Sequence, residues 1–380
     1  MITTGVMEPV YADNAATTQL SRAAYEQMLP FLVDNYGNPS QPYSFSRAAK
    51  KAIRKAREIV AVCINAEPEE IVFTSGGTES DNMAVKGFAL RDQEHKLLIT
   101  SSIEHHAVLN SCRAMELIGH DVELLPVTVT GIIEPSSLEE VDIAGNSLVT
   151  CMFANNEIGT IQPIEQLCNA SHEHGAIFHT DAVQAVGHVP IDVKTLSIDM
   201  LSASAHKFHG PRGVGFLYVR KGIRISPYVS GGAQEKKLRG GTENTAGIVG
   251  MAAALRESCE KLDSTTRLLR KRENELLSRL QEADLDFVRN GQNQLPGLLS
   301  LSFRNASGEM LLHRLDLMRI YVSTGSACDG SNVQKSHVLK AIGLSDDYAL
   351  GTIRLSFGRD ITSQDVEYIA ASIIRILDGQ

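Results

Sequence analysis

Two hydrophobic periods take turns along this chain. Short apolar runs bounded by glycine, proline or small polar residues read as strands at 70–74, 96–101, 122–127, 147–153, 176–179, 198–203 and 214–219. Apolar positions at helical spacing fill the intervals at 22–33, 46–63, 107–118 and 164–174, and a glycine turn at Gly76 and Gly77 opens a further helix. Strands alternating with helices predict a mostly parallel sheet covered by helices on both faces. After residue 219 the pattern changes. A glycine-rich stretch, 230–244, reads as a long loop; a long helix over 248–282, kinked near Ser264, reads as a bridge to a second domain. Strand-like runs follow at 297–303, 320–323 and 351–357, with helical runs at 308–315 and 363–377.

In sheets of this kind, ligands gather beyond the carboxyl ends of the strands. Here those ends carry unusual chemistry. They lead into Ser75-Gly76-Gly77-Thr78, Ile103-Glu104-His105-His106, Ala154-Asn155-Asn156-Glu157, Thr180-Asp181-Ala182-Val183-Gln184 and Ser204-Ala205-His206-Lys207. The paired glycines let the backbone approach an anion, and the free amides of the next helix suit a phosphate. Thr78 is placed to cap that helix and to offer its hydroxyl. An ordinary strand-to-helix turn reads the same way, because the motif is neither a Walker A loop nor a full dinucleotide fingerprint. Lys207, on a strand-end turn among hydroxyls and imidazoles, suits a Schiff-base amine. Its window alone favours a solvated loop lysine, since most lysines sit in water.

Composition narrows the field. The chain has 380 residues, 43% hydrophobic and 21% charged, the profile of a globular protein large enough for two domains. A net charge of −9 predicts no broad basic face and no nucleic-acid partner. No secretory signal and no apolar run of membrane-spanning length is visible, which predicts a cytoplasmic protein without a membrane partner. Six cysteines lie scattered without metal-binding spacing and read as reduced thiols. Cys328 alone has small, polar, glycine-flanked neighbours, Thr324-Gly325-Ser326-Ala327 before it and Asp329-Gly330-Ser331 after it. A cysteine in that setting is open to reaction.

The strand ends together meet the needs of pyridoxal phosphate, which acts as an electron sink once a protein supplies an amine, an acid, a phosphate cradle and a flat group over its ring. Lys207 supplies the amine and Asp181 the acid for the ring nitrogen. Gly77, Thr78, Ser204 and His206 can cradle the phosphate, His105 can stack on the ring, and Gln184 can hydrogen-bond the phenolic oxygen.

The motifs YADNAATT, YGNPS, FTSGGTESDN, SSIEHHAV, NNEIGTIQPI, HTDAVQAVG, SASAHKFHGPRGVGFLYVRKG, GGAQEKKLRGGTEN, STGSACDGS, SHVLKAIG and IRLSFGR run in this order along nearly the whole chain. In this it resembles the cysteine desulfurases of the nitrogen-fixation and iron–sulfur-cluster-assembly type. These belong to the class V aminotransferase group of fold type I pyridoxal-phosphate enzymes. The resemblance implies an α/β fold: a large domain (14–258) with a mostly parallel, seven-stranded type of sheet flanked by helices, and a smaller α+β domain (1–13 and 259–380) carrying the catalytic cysteine. It implies Lys207 as the Schiff-base lysine, with Asp181, Gln184, His105 and Asn156 around the ring and Gly77, Thr78, Ser204 and His206 on the phosphate. Thr242 would reach the phosphate of the partner subunit's cofactor, making a homodimer with shared sites. Arg354 would clamp the carboxylate of L-cysteine through a bidentate pair, assisted by Asn38 and Asn156. Lys207 would move the α-proton, His105 would shuttle protons at sulfur, and Cys328 would take the sulfur as a persulfide, leave alanine, and hand the sulfur to an acceptor protein. A thiolate that hands on sulfur could also ligate cluster iron in passing.

Two positions depart from the family pattern. Tyr43 stands where a histidine often follows the NPS motif, and Asp329 follows the nucleophile where threonine or serine is common. A neighbouring carboxylate raises a thiol's pKa, which predicts a less reactive Cys328. A selenocysteine lyase or another class V lyase or transaminase is the alternative enzyme, although a transaminase needs no cysteine. A scaffold with a degenerate site is the non-enzymatic alternative, against which Lys207, Asp181 and Arg354 all speak.

Overall fold

The computed structural model describes residues 8–143, 145–324 and 335–379. Its first half contains β1 (Val10–Tyr11), α1 (Arg22–Val33), α2 (Arg47–Cys63), β2 (Ile71–Thr74), α3 (Gly77–Ala89), β3 (Leu97–Ser101), α4 (His106–Glu116), β4 (Asp121–Leu125), β5 (Ser147–Thr150), α5 (Ile164–Glu173), β6 (Ile177–Asp181), β7 (Met200–Ser204) and β8 (Gly215–Val219). Seven of these strands form one sheet in the order β2-β8-β7-β6-β5-β3-β4. Only β8 runs against the rest, between β2 and β7. The strand-like runs are apolar on both sides because helices cover both faces; β5, β7 and β8 are buried along their whole length. The edge strand β4, covered on one side only, is mostly open.

The chain continues through α6 (Thr245–Glu260), α7 (Leu262–Glu282), β9 (Phe287–Asn290), β10 (Leu298–Phe303), α8 (Gly308–Leu317), β11 (Ile320–Tyr321), α9 (His337–Ala341), α10 (Asp346–Ala349), β12 (Thr352–Ser356) and α11 (Ser363–Asp378). The long helix expected over 248–282 is two helices that break at Lys261, without glycine or proline. The reason is a change of partner. The alanine-rich face of α6 packs on α1 and α2, while α7 packs on α11. Ser264 lies just past the break, where its hydroxyl donates to the Lys261 carbonyl at 2.8 Å. Strand β9 escaped the sequence reading because its Phe-Val-Arg-Asn run is short and half exposed. It pairs antiparallel with β10, which pairs antiparallel with β12. Leu276, Leu299, Ile353 and Ile369 belong to a hydrophobic cluster of their own beneath this three-stranded sheet.

The first turn of chain ties the two sheets together. β1 pairs with β11, and Asp13 bridges to Ser356 at the end of β12. The Tyr11–Thr18 stretch thereby lies across the carboxyl edge of the large sheet.

Candidate active site

That edge holds a cavity of about 360 Å³. Ten residues singled out from the sequence line it: Gly77, Thr78, His105, Asn156, Asp181, Gln184, Ser204, His206, Lys207 and Arg354. Each reaches it because its strand stops there. Asp181 is the last residue of β6, Ser204 the last of β7, and Lys207 closes the single 3-10 turn that follows.

The Lys207 ammonium donates to the carbonyls of Ala15 (2.5 Å) and Ala16 (3.0 Å), so the Tyr11–Thr18 stretch supplies the cavity's near wall. Gln184 is pinned to the same wall by its amide, which donates to the Ala15 carbonyl at 2.9 Å. Asp181 is 6% exposed and accepts the Val183 amide at 2.9 Å. Burial raises its pKa, while His105 and Lys207 pull it back down. His105 caps α4, its Nδ1 accepting the Ala107 amide at 3.1 Å. That bond spends Nδ1, so a neutral ring keeps its proton on Nε2. Burial lowers its pKa and favours that neutral form. His206 meets the Thr17 hydroxyl at 3.2 Å, and burial, then the Lys207 and Arg212 charges, push its pKa down to about 4.

The glycine turn differs from expectation in one respect. Helix α3 begins at Gly77 with Gly76 as its N-cap, and no side chain caps it. Thr78 therefore sits inside the first turn and is not the cap. The first amides are left for a ligand, at the positive end of the helix dipole. Gly76 has φ +149°, and a Cβ on Gly77 would stand 2.5 Å from Val183 Cγ2. Only glycine leaves that approach open.

Arg354, on β12, is 7% exposed. Its Nη2 donates to Asp13 Oδ1 at 2.7 Å and its Nη1 to the Asn156 carbonyl at 2.9 Å, while Nε has no partner among the described residues. Asp13 had no assigned role in the sequence, because a lone acid in YADNAATT carries no spacing signal. Asp81, Glu104, His106 and His337 were likewise unassigned. Asp81, His106 and His337 line the cavity. Glu104 is fully buried, and burial lifts its pKa to about 8 despite hydrogen bonds from Met152 and Ser101.

Cys328 and Asp329 lie outside the described residues. The chain reaches that segment from Ser323 and Thr324 and resumes through His337, all three of which line the cavity. Asn38 and Thr242 are not among the cavity's lining residues. Asn38 uses its side chain to accept the Ser40 amide, and Ser40 in turn donates to Glu243, next to Thr242.

Pyridoxal phosphate matches this donor set. The cavity holds one amine, a buried acid opposite it, a side-chain-free helix start that a Cβ would fill, and hydroxyl and imidazole groups beside that start.

Known proteins are similar to this chain in sequence and fold. The model of the family described as Aminotransferase class-V matches residues 10–369. A protein from Dictyoglomus turgidum named "Cysteine desulfurase IscS" is 44% identical over 372 residues, covering 97% of this chain and 94% of its own. One of the same name from Methanosarcina thermophila is 45% identical over 97% of this chain and 92% of its own. Among solved structures, a "NIFS-LIKE PROTEIN" superposes with a TM-score of 0.92 at 37% identity, over 98% of this chain and all of that one. "SspA in complex with cysteine" superposes with a TM-score of 0.81 at 39% identity, over 92% of this chain and 98% of that one. With a family match over residues 10–369 and relatives 44% and 45% identical over nearly the whole chain, this chain belongs to the class-V aminotransferase family.

Proposed function

We propose that this protein is a pyridoxal-phosphate-dependent cysteine desulfurase that converts L-cysteine to L-alanine and leaves the sulfur on Cys328 as a persulfide. The observation that carries the reading is convergence: Lys207, Asp181 and Arg354 line one cavity, and the chain on either side of the Cys328 segment borders it.

Gly77, Thr78, Ser204 and His206 would hold the cofactor's phosphate, Lys207 its aldehyde carbon and Asp181 its ring nitrogen. Bound there, the cofactor supplies an electron sink for the substrate's α-carbon. The rest falls to the chain. Arg354 orients the substrate carboxylate, using the guanidinium edge that Asp13 and the Asn156 carbonyl hold in place. Lys207 Nζ takes and returns the α-proton. His105, held by its bond to the Ala107 amide, shuttles protons to and from the sulfur groups. The Cys328 thiolate bonds the substrate sulfur, so L-cysteine plus the Cys328 thiol becomes L-alanine plus the Cys328 persulfide.

A homodimer is part of the reading. Leu29, Leu32, Val33, Tyr36 and Phe45 are large apolar groups left 44–74% exposed around α1, more than a free surface keeps. Ser40 ties this region to the loop that carries Thr242. A second copy would cover the face and bring Thr242 to its neighbour's phosphate. A sulfur-acceptor protein, a cytoplasmic location and the division into 14–258 and 1–13 with 259–380 complete the proposal. A hydrophobic cluster under the three-stranded sheet that joins Val10 and Ala12 to residues 269–376 supports that division, although a small cluster of Ile103, Met152 and Ile158 with Val338, Leu339 and Ile342 crosses it.

Persulfide trapping on the purified protein with L-cysteine tests the reading. Wild type should form one persulfide per active chain and release alanine. Cys328→Ala should lose the persulfide and slow alanine release; unaffected turnover in that variant would defeat the mechanism.

A further inference from the structure

Two carboxylates close the floor of the cavity. Asp81, one turn into α3, is 1% exposed, and Asp181 is 6% exposed. One oxygen of each lies, together with a nitrogen of His105, in a set whose members are all within 4.8 Å of one another.

The two acids have unequal support. Asp181 accepts the Val183 amide at 2.9 Å and faces Lys207 and His105, so its anion is stabilised. Asp81 Oδ1 has no hydrogen-bond partner among the described residues. The nearest imidazole nitrogen to it, His179 Nε2, is 3.9 Å away. That ring is engaged elsewhere, with Ser202 at 3.0 Å and Thr150 at 2.7 Å, and burial keeps it neutral by depressing its pKa to about 3. The Ser202 hydroxyl of β7 is the one neighbour that favours an anion at Asp81, and its hydrogen bond in the structure goes to His179 at 3.0 Å. The titratable groups around Asp81 are therefore Asp181 and His179 from β6 and Glu104 and His105 from the turn before α4. Neither acid nor the neutral His179 favours an anion at Asp81, and His105 serves Asp181. Adjacent buried carboxylates do not both ionise readily.

We propose that Asp81 is the neutral member of this pair, holding the proton that the two carboxylates share and so leaving Asp181 as the one anion that faces the ring nitrogen of a bound cofactor. Asp81 is then a positioning residue that acts through Asp181. The inference rests on the cofactor reading given above.

Infrared difference spectroscopy of the cofactor-loaded, full-length protein with carbon-13-labelled aspartate tests it. At neutral pH the wild type should show an isotope-shifted carboxylic-acid stretch. Asp81→Asn should abolish that band, yet keep the cofactor's visible absorption maximum, because an amide reproduces a neutral acid. Ser202→Ala should shift the band, because it removes a hydroxyl that acts on Asp81 and not on Asp181. A wild type without the band, a Ser202→Ala protein with an unmoved band, or an Asp81→Asn protein with a displaced visible maximum overturns the proposal. A protein that takes up no cofactor and stays colourless defeats the cofactor reading itself, a failure distinct from these.

Discussion

Arg354 donates to Asp13 at 2.7 Å across 341 positions of sequence. The pair joins the last strand, β12, to the stretch that follows β1, at the rim of the cavity. A guanidinium needs a carboxylate partner when buried, and Asp13 provides one at Nη2, while the buried Nε remains unpartnered among the described residues. On the proposed function, the cation so held would meet the carboxylate of L-cysteine in the cavity that Arg354 lines.

Arg354→Lys should therefore weaken substrate binding selectively. A point-charge ammonium cannot reproduce the forked contact, and losing one charge-assisted hydrogen bond costs about 1.5–3 kcal/mol. Steady-state kinetics should show the KM for L-cysteine rising by one to two orders of magnitude on that scale. The visible absorption of bound cofactor should persist, since Arg354 is not assigned to hold it.

Gly77→Ala should hinder both packing and cofactor uptake. The added Cβ would lie 2.5 Å from Val183 Cγ2, so one of them must move. Overpacking of this kind costs about 1–3 kcal/mol. Chemical denaturation and cofactor titration should both register the loss. Val183→Ala in the same chain should return much of it, a coupling that a double-mutant cycle measures.

Glu104 should make stability depend on pH in the alkaline direction. Burial raises its folded pKa from 4.5 to about 8. In that window the folded protein keeps a proton that the unfolded chain has lost. The stabilisation is full below the unfolded value, falls by up to about 1.4 kcal/mol per pH unit as pH rises, and is gone above about pH 8. Glu104→Gln retains an oxygen for the Ser101 and Met152 donors and should flatten this slope in thermal unfolding measured from acidic to mildly alkaline pH.

Leu32→Glu combined with Val33→Glu should convert a dimer into monomers. These side chains are 58% and 64% exposed on α1. Burying such a group contributes about 1.5–3 kcal/mol, and a two-fold interface counts each substitution twice. Sedimentation velocity checks the mass. An unchanged dimer would place the interface elsewhere.

Much of the site was legible because strand ends are legible. Asp181, Ser204 and Lys207 follow directly on apolar runs, and parallel strands deliver their ends to one edge. The polar residues at five such ends therefore had to meet. The motif order, from YADNAATT to IRLSFGR, then limited which cofactor such an edge would serve. Helix boundaries were less legible. The break at Lys261 follows from a change of packing partner and leaves no glycine or proline behind. The cap at Gly76 was hidden behind a threonine with better capping chemistry.

By itself, then, the sequence determined the alternation of strands and helices, the residues at the sheet's carboxyl edge and the resemblance that gives them roles. These are local or ordered along the chain, and hydrophobic period and motif order record them. Only the tertiary structure decided which groups beyond that edge complete the site. Asp13 reaches Arg354 because β1 pairs with β11 and β12 bridges to both Asp13 and Ser323. Asp81 meets Asp181 because α3 packs over β6 and β7. Contacts between residues a hundred or more positions apart depend on packing geometry, which no local pattern in the sequence encodes.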